Sequence, residues 1–130
     1  MVEAPWAPDY EIDDANRTMR FMLTRPDGSD EHKSIELVFH DVEGYLLKRD
    51  RGADSALAVE ERPLSAFLGE NEAYFALEAR WGWPRFWQGS AQSTSAWLAS
   101  RGRRVWAISA SYGLSGWVIA RKATYHNGPV

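Results

Sequence analysis

His40, Asp41 and Glu43 are the residues of this chain whose types and spacing come closest to a catalytic or metal-binding group. Imidazole and carboxylate groups transfer protons in acid–base catalysis, and together they can bind a divalent metal. All three lie within a single short turn (HDVEG), however, and the other histidines, His32 and His126, stand alone in polar surroundings. Aspartate is common in turns because its side chain bonds nearby backbone groups. We therefore predict a solvated polar turn and no metal, with a metal-dependent enzyme as the weaker alternative.

No other set of residues forms a recognisable catalytic group. Glu60 and Glu61 are adjacent in a predicted strand, so their side chains point to opposite faces and cannot act as a pair. The chain contains no nucleophile elbow, phosphate-binding loop, dinucleotide fingerprint or HExxH helix. It also contains no cysteine, which excludes disulfides, thiol catalysis and cysteine-bound metals. We therefore expect no cofactor and a function that is not enzymatic.

A segment rich in tryptophan and arginine (WGWPRFWQ, residues 81–88) is the main candidate for ligand binding. Aromatic faces interleaved with arginine suit a glycan or a single-stranded nucleic acid, because rings stack and guanidinium groups bind polar edges. The candidate ligand-binding residues are Trp81, Trp83, Arg85, Trp87, Arg103 and Arg104. The competing interpretation, which we favour, is that the tryptophans fill the core. A nucleic-acid partner is not expected, because such modules are usually basic and the pI here is about 5.6.

The charge of the chain is divided unevenly along its length. Residues 1–78 hold all 18 carboxylate side chains and 8 of the 15 lysines and arginines, a net charge of −10. Residues 79–130 hold the other 7 basic residues, a net charge of +7, and six of the seven tryptophans. We predict that the basic C-terminal strands lie next to elements of the acidic half. The same polarity favours head-to-tail or two-fold pairing of two copies.

The strongest strand signal lies at residues 33–49 (KSIELVFHDVEGYLLKR). Ile35, Leu37 and Phe39 alternate with polar residues, and the apolar face resumes after the HDVEG turn. A period of two is typical of a half-buried antiparallel strand. The segment therefore predicts a hairpin-like pair of strands.

Other segments favour helices. Leu64, Phe67 and Leu68 share one face of a helix by their i, i+3, i+4 spacing. Residues 72–81 alternate as in a strand, but their alanine, glutamate and leucine content favours a helix ended by Gly82. The remaining predicted elements are strands at 18–24 and 56–61, a helix at 93–101 capped by Ser93, and a closing hairpin with strands at 105–111 and 117–124.

These elements predict a single α+β domain, an antiparallel sheet of about five or six strands covered on one face by two or three short helices. The domain spans residues 17–130, and residues 1–16 form an acidic N-terminal arm because prolines discourage a helix there. No apolar run is long enough to span a bilayer, and the N-terminus lacks the regions of a signal peptide. We therefore expect a cytoplasmic protein without a membrane partner.

Three segments together resemble a group of small bacterial domains. They are the LxFxxVxGY pair of strands at residues 37–45, the strand with two glutamates at residues 57–64, and the closing hairpin at residues 108–120. Some of these domains are grouped with toxin-immunity proteins, which neutralise a partner by binding it. The resemblance implies a bacterial origin and an α+β fold, and it supplies no catalytic residue.

We accordingly expect a non-enzymatic, cytoplasmic, bacterial protein-binding domain. Its partner would be another protein, as for an immunity-type factor, or a second copy of itself in a homodimer. The alternative is a ligand-binding module that presents a surface rich in tryptophan and arginine to a glycan or a single-stranded nucleic acid.

Overall fold

The structure, a computed structural model, describes residues 7–25, 33–49, 57–110 and 114–127. Eight strands and three helices lie within these ranges. In chain order they are β1 (Ala7–Asp13), β2 (Thr18–Arg25), β3 (Lys33–His40), β4 (Gly44–Arg49), β5 (Leu57–Arg62), α1 (Leu64–Glu70), α2 (Glu72–Ala79), α3 (Ala91–Ser100), β6 (Arg104–Ala110), β7 (Leu114–Ala120) and β8 (Lys122–Asn127). No helix in the described ranges is long and apolar enough to cross a membrane.

The strands form two antiparallel sheets. The outer sheet has the strand order β1-β2-β3-β8, and the central sheet has the order β4-β7-β6-β5. The predicted α+β class is confirmed. The predicted number of strands is wrong, because eight strands divide into two four-stranded sheets instead of forming one sheet of five or six.

The central sheet is buried on both faces. Successive side chains of a strand point to opposite sides, so Trp106 and Ile108 of β6 face the outer sheet while Val105 faces the helices. The core between the sheets contains Met19, Phe21, Leu37, Phe39, Trp106, Ile108, Val118 and Ala120. The core under the helices contains Phe67, Leu68, Phe75, Phe86, Leu98, Val105, Trp117 and Ile119. The protein therefore has three layers: outer sheet, central sheet and helices.

The helices begin and end largely where local signals place them. Phe67 and Leu68 of α1 are buried, as their spacing predicts, and the ambiguous segment is the helix α2. Gly82 follows it with a φ of 88°, a conformation that glycine adopts without strain. The N-cap of α3 is Ser90, whose hydroxyl accepts a hydrogen bond from the Ser93 amide at 3.0 Å. The prediction of Ser93 as the cap is therefore wrong by one helical turn.

The hairpin predicted at residues 33–49 is a crossover between the sheets. β3 pairs with β2 and β8, whereas β4 pairs with β7 in the central sheet. The turn between them is fixed by two backbone hydrogen bonds, from the Val42 amide to the Arg17 carbonyl (2.8 Å) and from the Glu43 amide to the Ile119 carbonyl (2.7 Å). Alternation identified both strands correctly but does not determine which strand each one pairs with.

The closing hairpin is also shorter than predicted. β7 ends at Ala120, and after Arg121 the chain enters the outer sheet as β8, which pairs with β3. The Arg121 amide donates a hydrogen bond to the His40 carbonyl at 2.9 Å, so the chain changes sheets at the same place where β3 ends. Residue 111 of the predicted strand and residues 112 and 113 of the predicted loop lie outside the described residues, and the rest of that loop, residues 114–116, belongs to β7.

Part of the acidic N-terminal segment is a strand of the outer sheet. β1 pairs with β2 along its full length, from Ala7 opposite Thr24 to Asp13 opposite Thr18. Ile12 packs against the core between the sheets. The predicted arm at residues 1–16 therefore includes an edge strand, and residues 1–6 lie outside the described residues.

Candidate functional site

His40, Asp41 and Glu43 of the HDVEG turn each bond to a different residue. Asp41 accepts a hydrogen bond from Arg121, Glu43 accepts one from Arg101 at 2.9 Å, and the His40 imidazole is hydrogen-bonded to the Thr124 hydroxyl at 2.9 Å. The described residues contain no group of three or more histidine, aspartate or glutamate side chains arranged to hold a metal. The structure therefore does not bring His40, Asp41 and Glu43 together into one site, and His32 lies outside the described residues.

The surroundings of this turn lower two pKa values. The pKa of Asp41 is lowered chiefly by the hydrogen bond from Arg121. The pKa of His40 is lowered first by burial and then by the positive charges of Lys122 and Arg121. The two groups are thus held as a carboxylate and a neutral imidazole at neutral pH, which suits a structural role.

Ion pairs join the basic half of the chain to the acidic half. Glu43 is contacted by both Arg101 and Arg103, at 2.9 and 3.3 Å, and Arg104 forms a two-pronged pair with Glu61. The Arg103 contact is electrostatic, since its buried Nε lacks hydrogen-bond geometry. The predicted adjacency of the two halves is confirmed by these pairs and by the pairing of β6, β7 and β8 with strands of the acidic half.

The predicted ligand-binding residues do not form one surface. Arg103 and Arg104 are engaged by carboxylates at the edge of the central sheet. Trp83 and Trp87 are half-buried, with ring centroids 6.1 and 5.8 Å from that of the buried Phe75, so both belong to the core under the helices. The remaining two are Arg85, which is exposed, and Trp81, which is 82% exposed. Ligand binding by this set stays a prediction.

A stripe of large apolar side chains is exposed along α2 and the turn after it. Tyr74, Leu77 and Trp81 are 41%, 54% and 82% exposed. Their spacing of three and four residues places them on the same side of the helix, with the Tyr74 ring at the border of the core, 5.7 Å from that of Phe75. The Trp81 amide donates a hydrogen bond to the Glu78 carbonyl at 2.9 Å, which continues the turn beyond the last helical residue. We call Tyr74, Leu77 and Trp81 the α2 patch.

Two arginines flank the α2 patch in sequence. Arg80 and Arg85 are both exposed, and neither has a carboxylate within ion-pair distance among the residues that the structure describes. By contrast, Arg101, Arg103, Arg104 and Arg121 are all paired. The α2 patch is therefore flanked by two positive charges that no described carboxylate neutralises.

A cleft opens at the end of the outer sheet, beside the crossover turn. It has a volume of about 110 Å³. Its apolar lining comes from Ile12, Met19, Val42, Gly44 and Tyr45. Its charged lining comes from Asp13, Asp14, Glu43 and Arg17. The cleft thus combines an apolar interior with carboxylates from the β1–β2 turn.

The predicted binding residues did not include Tyr74 and Leu77, although the sequence contains a signal for their exposure. With residues 72–79 read as a helix, Phe75 marks the buried face, Leu77 falls away from it, and Tyr74 lies at its border. An apolar pair on the solvent side of a short helix would have indicated a contact surface.

No protein-family model, curated protein or solved structure matches this chain. The features that bear on its function are the exposed α2 patch, the arginines beside it and the carboxylate-lined cleft.

Proposed function

We propose that this chain is a non-enzymatic, cytoplasmic protein-binding domain and that the α2 patch is its contact surface. The observation that carries the proposal is the 82% exposure of Trp81 in line with Leu77 and Tyr74. Contiguous exposed apolar side chains are unusual on a monomer and typically mark an interaction surface. Tryptophan, tyrosine and arginine are also the residues that most often dominate the binding energy of protein interfaces.

The energetics favour a protein partner. Burying a large apolar side chain contributes about 1.5–3 kcal/mol. Trp81 and Leu77 together could therefore supply much of the binding energy of a moderate complex, before the cost of association is subtracted. Arg80 and Arg85 would add charge contacts at the rim, where exposed pairs contribute about 0.2–1 kcal/mol each. The partner surface should accordingly be apolar at its centre and acidic at its edge.

Two kinds of partner fit this description. One is a foreign protein, such as the toxin that an immunity-type factor neutralises in a bacterial cell. The other is a second copy of this chain, whose N-terminal half is acidic. In both cases binding itself is the function, and neither needs a catalytic group.

A photoreactive benzophenone amino acid placed at position 77 tests the proposal in cells that express the full chain. The expected result is a discrete covalent adduct with one protein, identified by mass spectrometry. The matched control carries the same group at position 125, because Tyr125 is 60% exposed but lies on β8, away from the patch. Equal capture at both positions, or none at position 77, would contradict the proposal.

The second candidate is a ligand-binding module, supported by the exposed Trp81 ring between two arginines without ion-pair partners among the described residues. A base or a sugar could stack on this ring, and stacking of a base contributes about 1–3 kcal/mol. Titration with oligothymidylate and with a set of oligosaccharides would then quench tryptophan fluorescence in the wild type and not in Trp81→Ala. Because Trp83 and Trp87 pack on Phe75, their substitution cannot serve as this test.

A further inference from the structure

We infer that the occupant of the α2 patch is a second copy of this chain, and that Trp81 of one copy docks into the carboxylate-lined cleft of the next. The inference rests on the proposed function and adds the identity of the partner and the receiving surface. Three observations support it: the exposed Trp81 ring, the open apolar cleft, and the opposite charges beside the ring and the cleft.

The shapes of the two surfaces are complementary. Trp81 is the most exposed of the large hydrophobic side chains that the structure describes. The cleft is concave and reaches the buried Met19 between the partly buried Ile12 and Val42. Its volume of about 110 Å³ is several times the roughly 10–15 Å³ that one water requires, so an aromatic edge can enter it. An apolar ring entering an apolar cleft releases water from both surfaces.

The charges around the two surfaces are also complementary. The end of β1 and the turn after it contribute the carboxylates of Asp13 and Asp14 to the lining of the cleft. Asp14 is exposed and has no cation within ion-pair distance among the described residues. Arg80 and Arg85, beside Trp81, likewise lack carboxylate partners there. Arg17 also lines the cleft and Glu43 is already paired with Arg101 and Arg103, so the negative charge open to a partner comes from Asp13 and Asp14.

The symmetry of this contact follows from its two different surfaces. The ring lies on the helical layer, and the cleft lies at the end of the outer sheet. Because the two surfaces lie in different layers, we expect one interface to hold a single ring-in-cleft contact, so that each copy donates Trp81 to one neighbour and receives it from another. Such a contact closes into a ring or continues as a chain, and it does not stop at a two-fold dimer.

Sedimentation velocity of the full chain over a wide range of protein concentration tests the inference. The wild type should associate as its concentration rises, and about 1 M salt, where the Debye length is roughly 3 Å, should weaken the association. Trp81→Ala and Asp14→Arg should each weaken it by about tenfold or more. Matched controls are Tyr125→Ala, an exposed aromatic on β8, and Glu60→Arg, an exposed carboxylate on β5. Neither control should change the association.

A mixture of the two defective variants gives the decisive result. Trp81→Ala retains the cleft and Asp14→Arg retains the ring, so together they should form a one-to-one dimer that grows no further. A wild type that stays monomeric at every concentration in low salt would overturn the inference. So would association that Asp14→Arg leaves unchanged, or a mixture that stays monomeric. If the chain does not self-associate, crosslinking at position 77 would still detect a different protein partner. The proposed function is therefore tested separately from the self-association.

Discussion

Glu43 and Arg101 are 58 residues apart in the chain, yet the Glu43 carboxylate accepts a hydrogen bond from the Arg101 Nε at 2.9 Å. Arg103 approaches the same carboxylate oxygen at 3.3 Å. The contact joins the crossover turn between the two sheets to the end of α3, so one carboxylate links all three layers. Its side chain is only 14% exposed, and that of Arg103 only 11%. Pairs with little exposure are screened weakly by salt, and losing one partner leaves the other charge poorly solvated.

The first prediction concerns this carboxylate. Glu43→Gln should lower the free energy of unfolding by about 1–3 kcal/mol, because Arg101 and Arg103 then lose the carboxylate that contacts them both. Urea denaturation followed by far-UV circular dichroism measures the change. Glu60→Gln is the control, since Glu60 is exposed, and we expect a change within about 0.5 kcal/mol. Equal losses of unfolding free energy in the two variants would show that the ion pairs of Glu43 contribute nothing to stability.

The second prediction concerns the close approach of two backbones at Gly116. Its φ is 155°, and a Cβ added there would lie 1.8 Å from the backbone oxygen of Leu46 on the neighbouring strand β4. Because a backbone oxygen in a sheet cannot move aside cheaply, Gly116→Ala should destabilise the protein by at least about 3 kcal/mol.

Gly69→Ala is the matched control for that experiment. A Cβ at Gly69 meets nothing within 4 Å, and the residue lies in α1. We expect Gly69→Ala to stabilise the protein by roughly 0.5–1 kcal/mol, because alanine favours a helix over glycine. Thermal unfolding of both variants in parallel gives the comparison, and a Gly116→Ala variant as stable as the wild type would contradict the β4–β7 register.

The third prediction separates core tryptophans from the exposed one. Trp83 packs 6.0 Å from the ring of Trp117 and 6.1 Å from that of Phe75, so Trp83→Ala should cost about 2–4 kcal/mol. Trp81→Ala should change stability by less than about 0.5 kcal/mol, because its ring is 82% exposed. Chemical denaturation distinguishes the two, and a large loss in Trp81→Ala would mean that the α2 patch is covered within the chain.

The fourth prediction concerns pH. Burial, together with Lys122 and Arg121, lowers the pKa of His40 below its ordinary value of 6.5 in the folded state. As the pH falls through 6.5, the unfolded chain therefore takes up a proton before the folded one does, and stability decreases. The contribution of neutral His40 is fully present above pH 6.5 and is lost progressively toward the folded pKa.

Denaturation at pH 7.5 and pH 5.5 measures this effect. The wild type should lose stability between the two, and His40→Gln should lose less, because glutamine does not titrate. Because His126 contacts the same Thr124 hydroxyl as His40, at 3.1 and 2.9 Å, the difference reports His40 together with its interaction with His126. An identical loss in both proteins would contradict the lowered pKa.

Local patterns in the sequence predicted most of the elements, but neither β1 nor the division of the last predicted strand between β7 and β8. Alternation at Leu37 and Phe39 marks β3, and the spacing of Phe67 and Leu68 marks α1, because strand and helix periods are properties of neighbouring residues. The absence of cysteine and the division of charge were equally plain from the sequence. The adjacency of the two halves followed from that charge division, and the ion pair of Arg104 with Glu61 bears it out.

Only the tertiary structure decided which strands pair and which aromatic rings are exposed. β3 and β4 follow one another in the chain but lie in different sheets. Alternation within a strand does not specify its neighbour, which is set by how the two cores on either side of the central sheet pack. Trp81 and Trp83 are two residues apart, yet the turn at Gly82 leaves one ring in solvent and the other against Trp117. Such differences arise from contacts between residues distant in the chain, which composition and periodicity do not record.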